Sequence, residues 1–132
     1  MRKMKERLES KWFVGDSNTT IKIIYDRIII NQITSIDDNV APFTRSISID
    51  MKDCEINENG EFIYNEYLRP VNGGPVTHFE PQTLFQYMCK YIPRGERFVE
   101  MDENGKRITP IFLFFDEMVN AIINYCTEEI DE

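Results

Sequence analysis

The sequence predicts an α+β fold: one globular domain over residues 1–132 in which helices pack on a mainly antiparallel sheet. Two Asn-Gly pairs lie between apolar segments, which is the strongest short-range signal for a hairpin. Segments dense in β-branched residues predict strands, and apolar residues at helical spacing predict helices. The predicted elements, in chain order, are an N-terminal amphipathic helix at 1–12, strands within 19–36 and 43–51, hairpin turns at Asn59-Gly60 and Asn104-Gly105, and core helices at about 81–92 and 110–127.

The first twelve residues, MRKMKERLESKW, have helical periodicity and a basic charge. Met4, Leu8 and Trp12 recur every four residues, which predicts an amphipathic helical arm packed on the core. Five Lys or Arg against two Glu give residues 1–12 a net charge of +3, although the whole chain has a formal net charge of -8. The lysines and arginines either solvate this helix or dock it on an acidic surface of another copy or another protein.

Two segments after residue 12 have the sequence patterns of β-strands. Residues 19–36 carry apolar side chains on both faces of an alternating pattern, which predicts a central strand covered on both sides. A helix through Ile21, Ile24 and Ile28 is the alternative, which the density of isoleucine disfavours. Residues 43–51 alternate cleanly between apolar and polar side chains, so they predict a half-exposed antiparallel strand.

The two Asn-Gly pairs belong to a short repeat. CEINENGEFI at 54–63 and VEMDENGKRI at 99–108 align without a gap, which raises the question of a functional element used twice. In both copies the Asn-Gly pair separates two segments that are rich in apolar residues, as it does in a hairpin. We therefore interpret both copies as hairpin turns.

A calcium loop is the competing interpretation of this repeat. Glu100, Asp102 and Asn104 would occupy the first, third and fifth ligand positions of the second copy. The twelfth position needs a bidentate Glu, and it is Glu66 in the first copy but Ile111 in the second. The first copy also follows a strand-like segment where a calcium loop requires a helix, so we predict no metal or other cofactor.

Residues 69–81, RPVNGGPVTHFEP, form the longest predicted loop. Three prolines and a Gly-Gly pair in thirteen residues are typical of binding loops, although a plain crossover made rigid by proline is the alternative. No Gly-Lys-Ser/Thr and no G-x-G-x-x-G accompanies the glycines, which excludes a phosphate-binding loop. We predict that this loop is the main contact surface.

Two core helices complete the predicted fold. The first, at 81–92, begins at Pro81, carries Tyr87 and Tyr91 beside its apolar stripe, and ends before Pro93. The two tyrosines form either an exposed aromatic patch for a partner or the margin of the core. The second, at 110–127, has apolar residues at helical spacing, with a strand at 111–115 followed by a helix as the alternative. The acidic tail at 127–132 either frays or meets a basic partner.

The sequence predicts no enzyme. His78 is the only histidine, so any Ser-His or Cys-His pair must use it. His78 and Glu80 match half of a zinc deaminase motif, but the P-C-x-x-C half is absent. A pair of His78 with Cys89 stays open, although Cys89 lies on the predicted apolar stripe, where a thiol is inert.

Charge and cysteine content limit the class of protein. A net charge of -8 and a pI near 4.7 argue against nucleic-acid binding, which needs a basic surface. No apolar run approaches the roughly 20 residues that cross a bilayer, and the chain lacks a secretory signal. Three widely spaced cysteines predict reduced thiols in the cytoplasm or within a virion-like particle, and not a secreted protein.

These features favour a non-catalytic protein-interaction or assembly subunit, for instance a small structural component of a phage or similar particle. The 18 isoleucines and 10 asparagines are typical of AT-rich coding sequences, which many phages have. The alternatives are an acidic inhibitor or adaptor of a mobile element that occupies a basic site on its target, and a small enzyme using His78. The partner is a copy of the chain or a larger protein assembly. The predicted contact residues are Arg69, Asn72, Gly73, Gly74, His78, Phe79, Tyr87, Tyr91, Arg2, Lys3 and Lys5.

Overall fold

A computed structural model describes residues 1–16, 18–34, 39 and 43–130. Strands make up 45% of the chain and helical residues 17%, so the predicted α+β class is wrong and the fold is mostly β-sheet. In chain order the elements are β1 (Arg2–Met4), β2 (Leu8–Gly15), β3 (Thr19–Tyr25), β4 (Arg27–Thr34), β5 (Phe43–Asp50), a 3-10 turn (Met51–Asp53), β6 (Cys54–Ile56), β7 (Phe62–Tyr64), β8 (Tyr67–Leu68), β9 (Thr77–His78), β10 (Gln82–Thr83), α1 (Leu84–Cys89), β11 (Phe98–Met101), α2 (Phe115–Cys126) and β12 (Thr127–Glu129).

The largest sheet has five antiparallel strands in the order β11-β2-β3-β4-β5. A three-stranded sheet, β10-β7-β6, and the pairs β1-β12 and β8-β9 surround it. One face of the large sheet is buried, and its inward side chains are Phe13, Ile21, Ile23, Ile28, Ile30, Ile49 and Phe98. The helix α2, the short helix α1 and β7 cover this face in one hydrophobic cluster. The opposite face has no covering element among the described residues.

Residues 19–36 were expected to form one central strand covered on both sides, which is wrong. Residues 19–34 form the hairpin β3-β4, in which Ile24 lies opposite Arg27, and residues 35 and 36 lie outside the described residues. Tyr25 makes the turn with a φ of 48°, and it is the one non-glycine residue with a positive φ in the described part of the chain. Neither Gly nor Asn marks this turn, so the sequence gives no signal for it.

The predicted N-terminal helix is also wrong, because residues 1–12 form β1 and the first half of β2. A spacing of four residues is one helical turn and also two strand periods, so the apolar pattern of this segment fits either structure. The register of β2 shifts between Leu8 and Lys11. This bulge places Leu8 on the buried face of the sheet and Trp12, which lies opposite Lys22, on the outer face.

Both core helices are shorter than predicted. α1 begins at Leu84, because Thr83 and Gln86 form a capping box that overrides the proline signal at Pro81. α1 ends at Cys89, short of the predicted residue 92, so it has fewer than two turns.

α2 begins at Phe115, five residues later than predicted. The backbone N–H of Phe114 donates to the Glu117 carboxylate at 3.2 Å, and this bond caps the N-terminus of α2. Residues 111–115 are neither a strand nor part of one long helix: Leu113 makes a single antiparallel bridge to Phe98, and the helix starts two residues later. None of the helices in the described part of the chain has the length and apolar character needed to cross a membrane.

The basic start of the chain pairs with its acidic end. In β1-β12, Arg2 lies opposite Glu129 and Lys3 lies opposite Glu128. Ion pairs follow the register: Arg2 Nη1 is 3.2 Å from Glu129 Oε1, and Lys3 Nζ is 3.6 Å from Glu128 Oε1. The acidic tail at 127–132 was expected to fray or to meet a basic partner. Up to Glu129 it pairs with the basic strand β1 of its own chain.

Arg2 also completes the end of α2. Its Nε donates to Thr127 Oγ1 at 2.8 Å, and its Nη2 donates to the carbonyl oxygens of Asn124 at 3.2 Å and Thr127 at 3.0 Å. A helix end leaves carbonyl groups without intrahelical partners and carries a partial negative charge, so a guanidinium is favourable there. Arg2 therefore supplies the cation that the sequence of α2 lacks.

Replacing Arg2 by Ala should lower the free energy of unfolding by about 1–2 kcal/mol, since the helix end loses its donors and its cation. Arg2→Lys should restore only part of the loss, because an ammonium cannot reproduce the guanidinium fork. Lys3→Ala is the control, and an exposed ion pair of this kind should cost no more than about 0.5 kcal/mol. Urea denaturation measures all three, and equal effects of Arg2→Ala and Lys3→Ala would contradict the assignment.

Candidate functional site

A β-hairpin projects from the body at residues 67–79, which we call the arm. β8 and β9 pair with Tyr67 opposite His78 and Leu68 opposite Thr77. Most of the predicted contact loop at 69–81 lies on this hairpin, so the loop is more regular than the sequence predicted. Its three prolines and two glycines lie at the tip and at the exit of the arm.

The tip of the arm is a hydrogen-bonded turn. The Gly73 N–H donates to the Pro70 carbonyl at 3.3 Å, and the Gly74 N–H donates to Asn72 Oδ1 at 3.1 Å. Gly73 has a φ of 77°, a conformation that favours glycine. Asn72, Gly73 and Gly74, all predicted as contact residues, therefore shape the turn.

The base of the arm is fixed by aromatic and ionic contacts. The rings of Tyr67 and His78 meet edge to face with their centroids 4.6 Å apart. The Arg69 guanidinium lies over the Tyr67 ring at 5.1 Å and is 3.4 Å from Asp53 Oδ1. These contacts hold the arm in one direction relative to the sheet that contains β6 and β7.

Four large apolar side chains of the arm face solvent, and they are Leu68, Val71, Val76 and Phe79. Val71 at the tip is fully exposed, and Leu68 is 58% exposed. Residues 70–77 contain no charged side chain, although 29% of the chain is charged. An uncharged apolar projection of this kind is typical of a surface that docks on another molecule.

A cleft of about 590 Å³ lies at the base of the arm. Phe79 lines it together with the charged residues Glu66, Glu80 and Lys90. The arm thus combines an apolar tip with a charged base, which matches the apolar core and polar rim of protein interfaces.

The two predicted contact tyrosines lie at the margin of the core. Tyr87 is 3% exposed, packs edge to face on Tyr64, and donates its hydroxyl to Glu66 Oε2 at 3.3 Å. Burial, reinforced by the nearby Glu66 carboxylate, raises the pKa of Tyr87. Tyr91 is partly buried, and the Arg45 guanidinium lies 5.0 Å above its ring.

The predicted basic contact residues are engaged within the chain. Arg2 and Lys3 face the acidic strand β12, as described above. The Lys5 ammonium lies 5.2 Å from the ring centroid of Tyr125. These three cations are therefore not brought together with the arm.

The structure confirms that both Asn-Gly pairs lie in hairpin turns. In the first copy, Asn57 Oδ1 accepts the N–H groups of Asn59 and Glu61 at 3.0 and 2.9 Å. In the second copy, Asp102 Oδ1 accepts the equivalent N–H groups of Asn104 and Lys106, both at 2.9 Å. In each loop, one side-chain oxygen that a calcium ion would need, Asn57 Oδ1 or Asp102 Oδ1, accepts the hydrogen bonds of the turn instead. In the described ranges no three metal-ligating side chains cluster.

The single histidine packs against an aromatic ring. The His78 ring is exposed, and its ring contact is to Tyr67. Cys89 was expected to be buried on the apolar stripe of its helix, but it is exposed, because α1 ends at this residue. Within the described segments no hydrogen bond joins His78 to Cys89.

The other two cysteines are protected from reaction. Burial raises the pKa of the Cys126 thiol to about 12. Burial, with the nearby charges of Cys126, Asp53 and Asp50, raises the pKa of Cys54 to about 12 as well. Neither thiol is a nucleophile near neutral pH.

A second cleft, of about 780 Å³, lies beside the bulge in β2 and was not predicted. Lys11 in this cleft pairs with the Glu100 carboxylate, and its ammonium lies 4.3 Å from the Tyr125 ring centroid. The Tyr125 hydroxyl donates to the Glu9 carbonyl at 2.7 Å. Lys11 of this cleft is thus paired within the chain, and the sequence could not reveal the pair, since residues 11, 100 and 125 meet only in the fold.

Comparison with known proteins found no family model, no curated protein and no solved structure that matches this chain.

The thiols should differ sharply in reactivity. With a disulfide reagent at pH 8, exposed Cys89 should react first, and Cys126 should react at least about a hundredfold more slowly, because burial suppresses its thiolate. Mass spectrometry of partly labelled protein identifies the site, and denatured protein, in which all three thiols should react alike, is the control. Labelling of Cys126 as fast as that of Cys89 in the folded protein would contradict this description of the core.

Proposed function

We propose that the protein is a non-catalytic interaction or assembly subunit that contacts another protein chain through the arm at residues 67–79. The observation that carries this proposal is the exposure of Leu68, Val71, Val76 and Phe79 on an internally braced hairpin whose residues 70–77 carry no charge. Solvent-facing apolar side chains grouped on one projection gain free energy when a partner covers them. The braced base supports the proposal further, since a preorganised arm loses little conformational entropy on binding.

The partner that fits the arm is a protein with an apolar groove and a polar rim. Val71 at the tip would enter the groove, and the charged groups Arg69, Glu66 and Lys90 at the base would meet the rim. Three free cysteines, at positions 54, 89 and 126, favour a reducing compartment such as the cytoplasm or the inside of a particle. A small structural component of a phage or similar particle agrees with these features.

The two alternative functions have weaker support. An enzyme using His78 needs a nucleophile or a metal beside the ring, and the ring contacts Tyr67 instead. An acidic inhibitor needs a continuous negative surface, but several carboxylates of the described residues already pair with cations. Those ion pairs include Arg2–Glu129, Lys3–Glu128, Lys11–Glu100, Arg94–Asp116 and Arg97–Asp16.

Site-specific photo-cross-linking tests the proposed contact surface. A photoreactive phenylalanine analogue at Val71 should capture a distinct protein from an extract of the organism that encodes the chain. The matched control places the same analogue at Asn59, which lies in an exposed turn away from the arm. Mass spectrometry then identifies the captured chain.

The double variant Leu68→Ser/Val71→Ser should reduce binding of the captured protein at least about tenfold, because a few central apolar side chains supply most of the energy of an interface. Its stability should change by no more than about 0.5 kcal/mol, since both side chains are exposed. Ile111→Ser, which removes another exposed apolar side chain, should leave binding unchanged. Equal capture from positions 71 and 59, or full binding by the double variant, would contradict the proposal.

A further inference from the structure

The two edges of the five-stranded sheet differ in their free backbone groups. β11 forms one edge, and the N–H and carbonyl of Phe98 both bond to Leu113 at 2.8 Å. The Glu100 carbonyl accepts the Ile108 N–H, also at 2.8 Å. The polypeptide from Ile108 to Leu113 therefore occupies this edge and leaves no room for a further strand.

β5 forms the other edge, and the register shows which of its groups point outward. The Met51 N–H donates to the Asp26 carbonyl at 2.7 Å, so these opposed residues are a hydrogen-bonded pair. Hydrogen-bonded pairs alternate along an antiparallel ladder, so every second residue of β5 bonds to β4. The β5 residues that bond to β4 are Phe43, Arg45, Ile47 and Ile49, and the residues whose N–H and carbonyl groups point away are Thr44, Ser46, Ser48 and Asp50.

The charged side chains of β5 are Arg45, which donates to Gln32 Oε1 on the neighbouring strand at 2.8 Å, and Asp50 at the end of the strand. Thr44, Ser46 and Ser48 are exposed, small and uncharged. Natural edge strands are usually blocked by proline, by inward-pointing charge or by covering segments. In the described part of the chain β5 pairs with no strand other than β4.

We propose that β5 is a dimerisation edge, on which β5 of a second copy adds in antiparallel orientation. Placing Ser46 opposite its own copy sets Thr44 opposite Ser48, so all outward-pointing groups of these three residues pair across the twofold axis. The same surface serves both copies, and the second edge of the sheet is occupied. Association therefore closes as a dimer with a continuous ten-stranded sheet, since each copy contributes five strands.

The charges near the edge permit this pairing. Arg27 and Asp26 form an ion pair at 3.3 Å, Lys52 lies 4.0 Å from Asp50, and Arg45 donates to Gln32 Oε1 at 2.8 Å, so these charged groups have partners within the chain. The net charge of -8 on each copy still opposes association at long range. Because salt screens that repulsion, the dimer should be at least as stable at high salt as at low salt.

Light scattering with size-exclusion chromatography, over a wide concentration series, tests this inference. The wild-type chain should approach twice its mass of 15.7 kDa as concentration rises. Ser48→Pro removes one outward N–H, and Ser48→Lys adds a charge to the edge strand opposite Thr44 of the second copy, so each should weaken the dimer at least about tenfold. Neither change breaks the β3-β4-β5 ladder, and urea denaturation of both variants checks that the fold is intact.

Asn59→Lys is the matched control, since it makes the same change of charge on an exposed turn and should leave the dimer unchanged. A wild-type chain that stays monomeric at every concentration would overturn the inference, as would a dimer that survives Ser48→Lys in a folded protein. The inference does not depend on the arm. The double variant Leu68→Ser/Val71→Ser should still dimerise, and Ser48→Lys should still cross-link through Val71.

Discussion

The structure depends on the burial of one face of the five-stranded sheet, with helix α2 as the main covering element. Met118 and Ile122 of α2 are fully buried against inward side chains such as Phe13, Ile23 and Ile30. A sheet of alternating strands exposes one complete apolar face, and only a covering layer makes it stable in water. The small sheets and α1 pack at the margins of this layer, and this packing fixes their positions. The pairing of β1 with β12 then fixes the end of α2 from outside.

The same core leaves the interaction surfaces at its periphery. The arm follows strand β7 of the three-stranded sheet, and β7 buries Phe62 and Tyr64 in the core. The base of the arm is therefore rigid, while the tip of the arm faces solvent. The edge strand β5 follows from the order of the large sheet, because the chain leaves β5 through a 3-10 turn and not through another strand of that sheet. The tip of the arm, residues 70–77, lacks charge where the arm is most exposed. Interfaces are depleted of charge at their centres in the same way, which supports the proposed role in protein contacts.

Sequence reasoning succeeded where one local signal decides the structure. Gly60 and Gly105 both adopt a φ of 78°, as expected for turns of an Asn-Gly type. It failed where two periodicities coincide, as in residues 1–12, whose apolar spacing fits a helix and a strand equally. Residues 69–81 were predicted to be a loop from their composition, but the hairpin pairing within them was not predicted. The intrachain engagement of Arg2 and the edge position of β5 among the described strands depend on tertiary pairing, which no local pattern encodes.

Residue-resolved amide hydrogen exchange by NMR tests most directly the claim that α2 and the large sheet form one cooperative core. The amides within β3, β4 and α2 should be the slowest to exchange and should share one opening free energy, because exposing the sheet face requires α2 to leave it. The amides at the arm tip, such as those of Val71 and Asn72, should exchange much faster. Fast exchange throughout α2, with the sheet still protected, would contradict this account, because the sheet would then be stable without the helix.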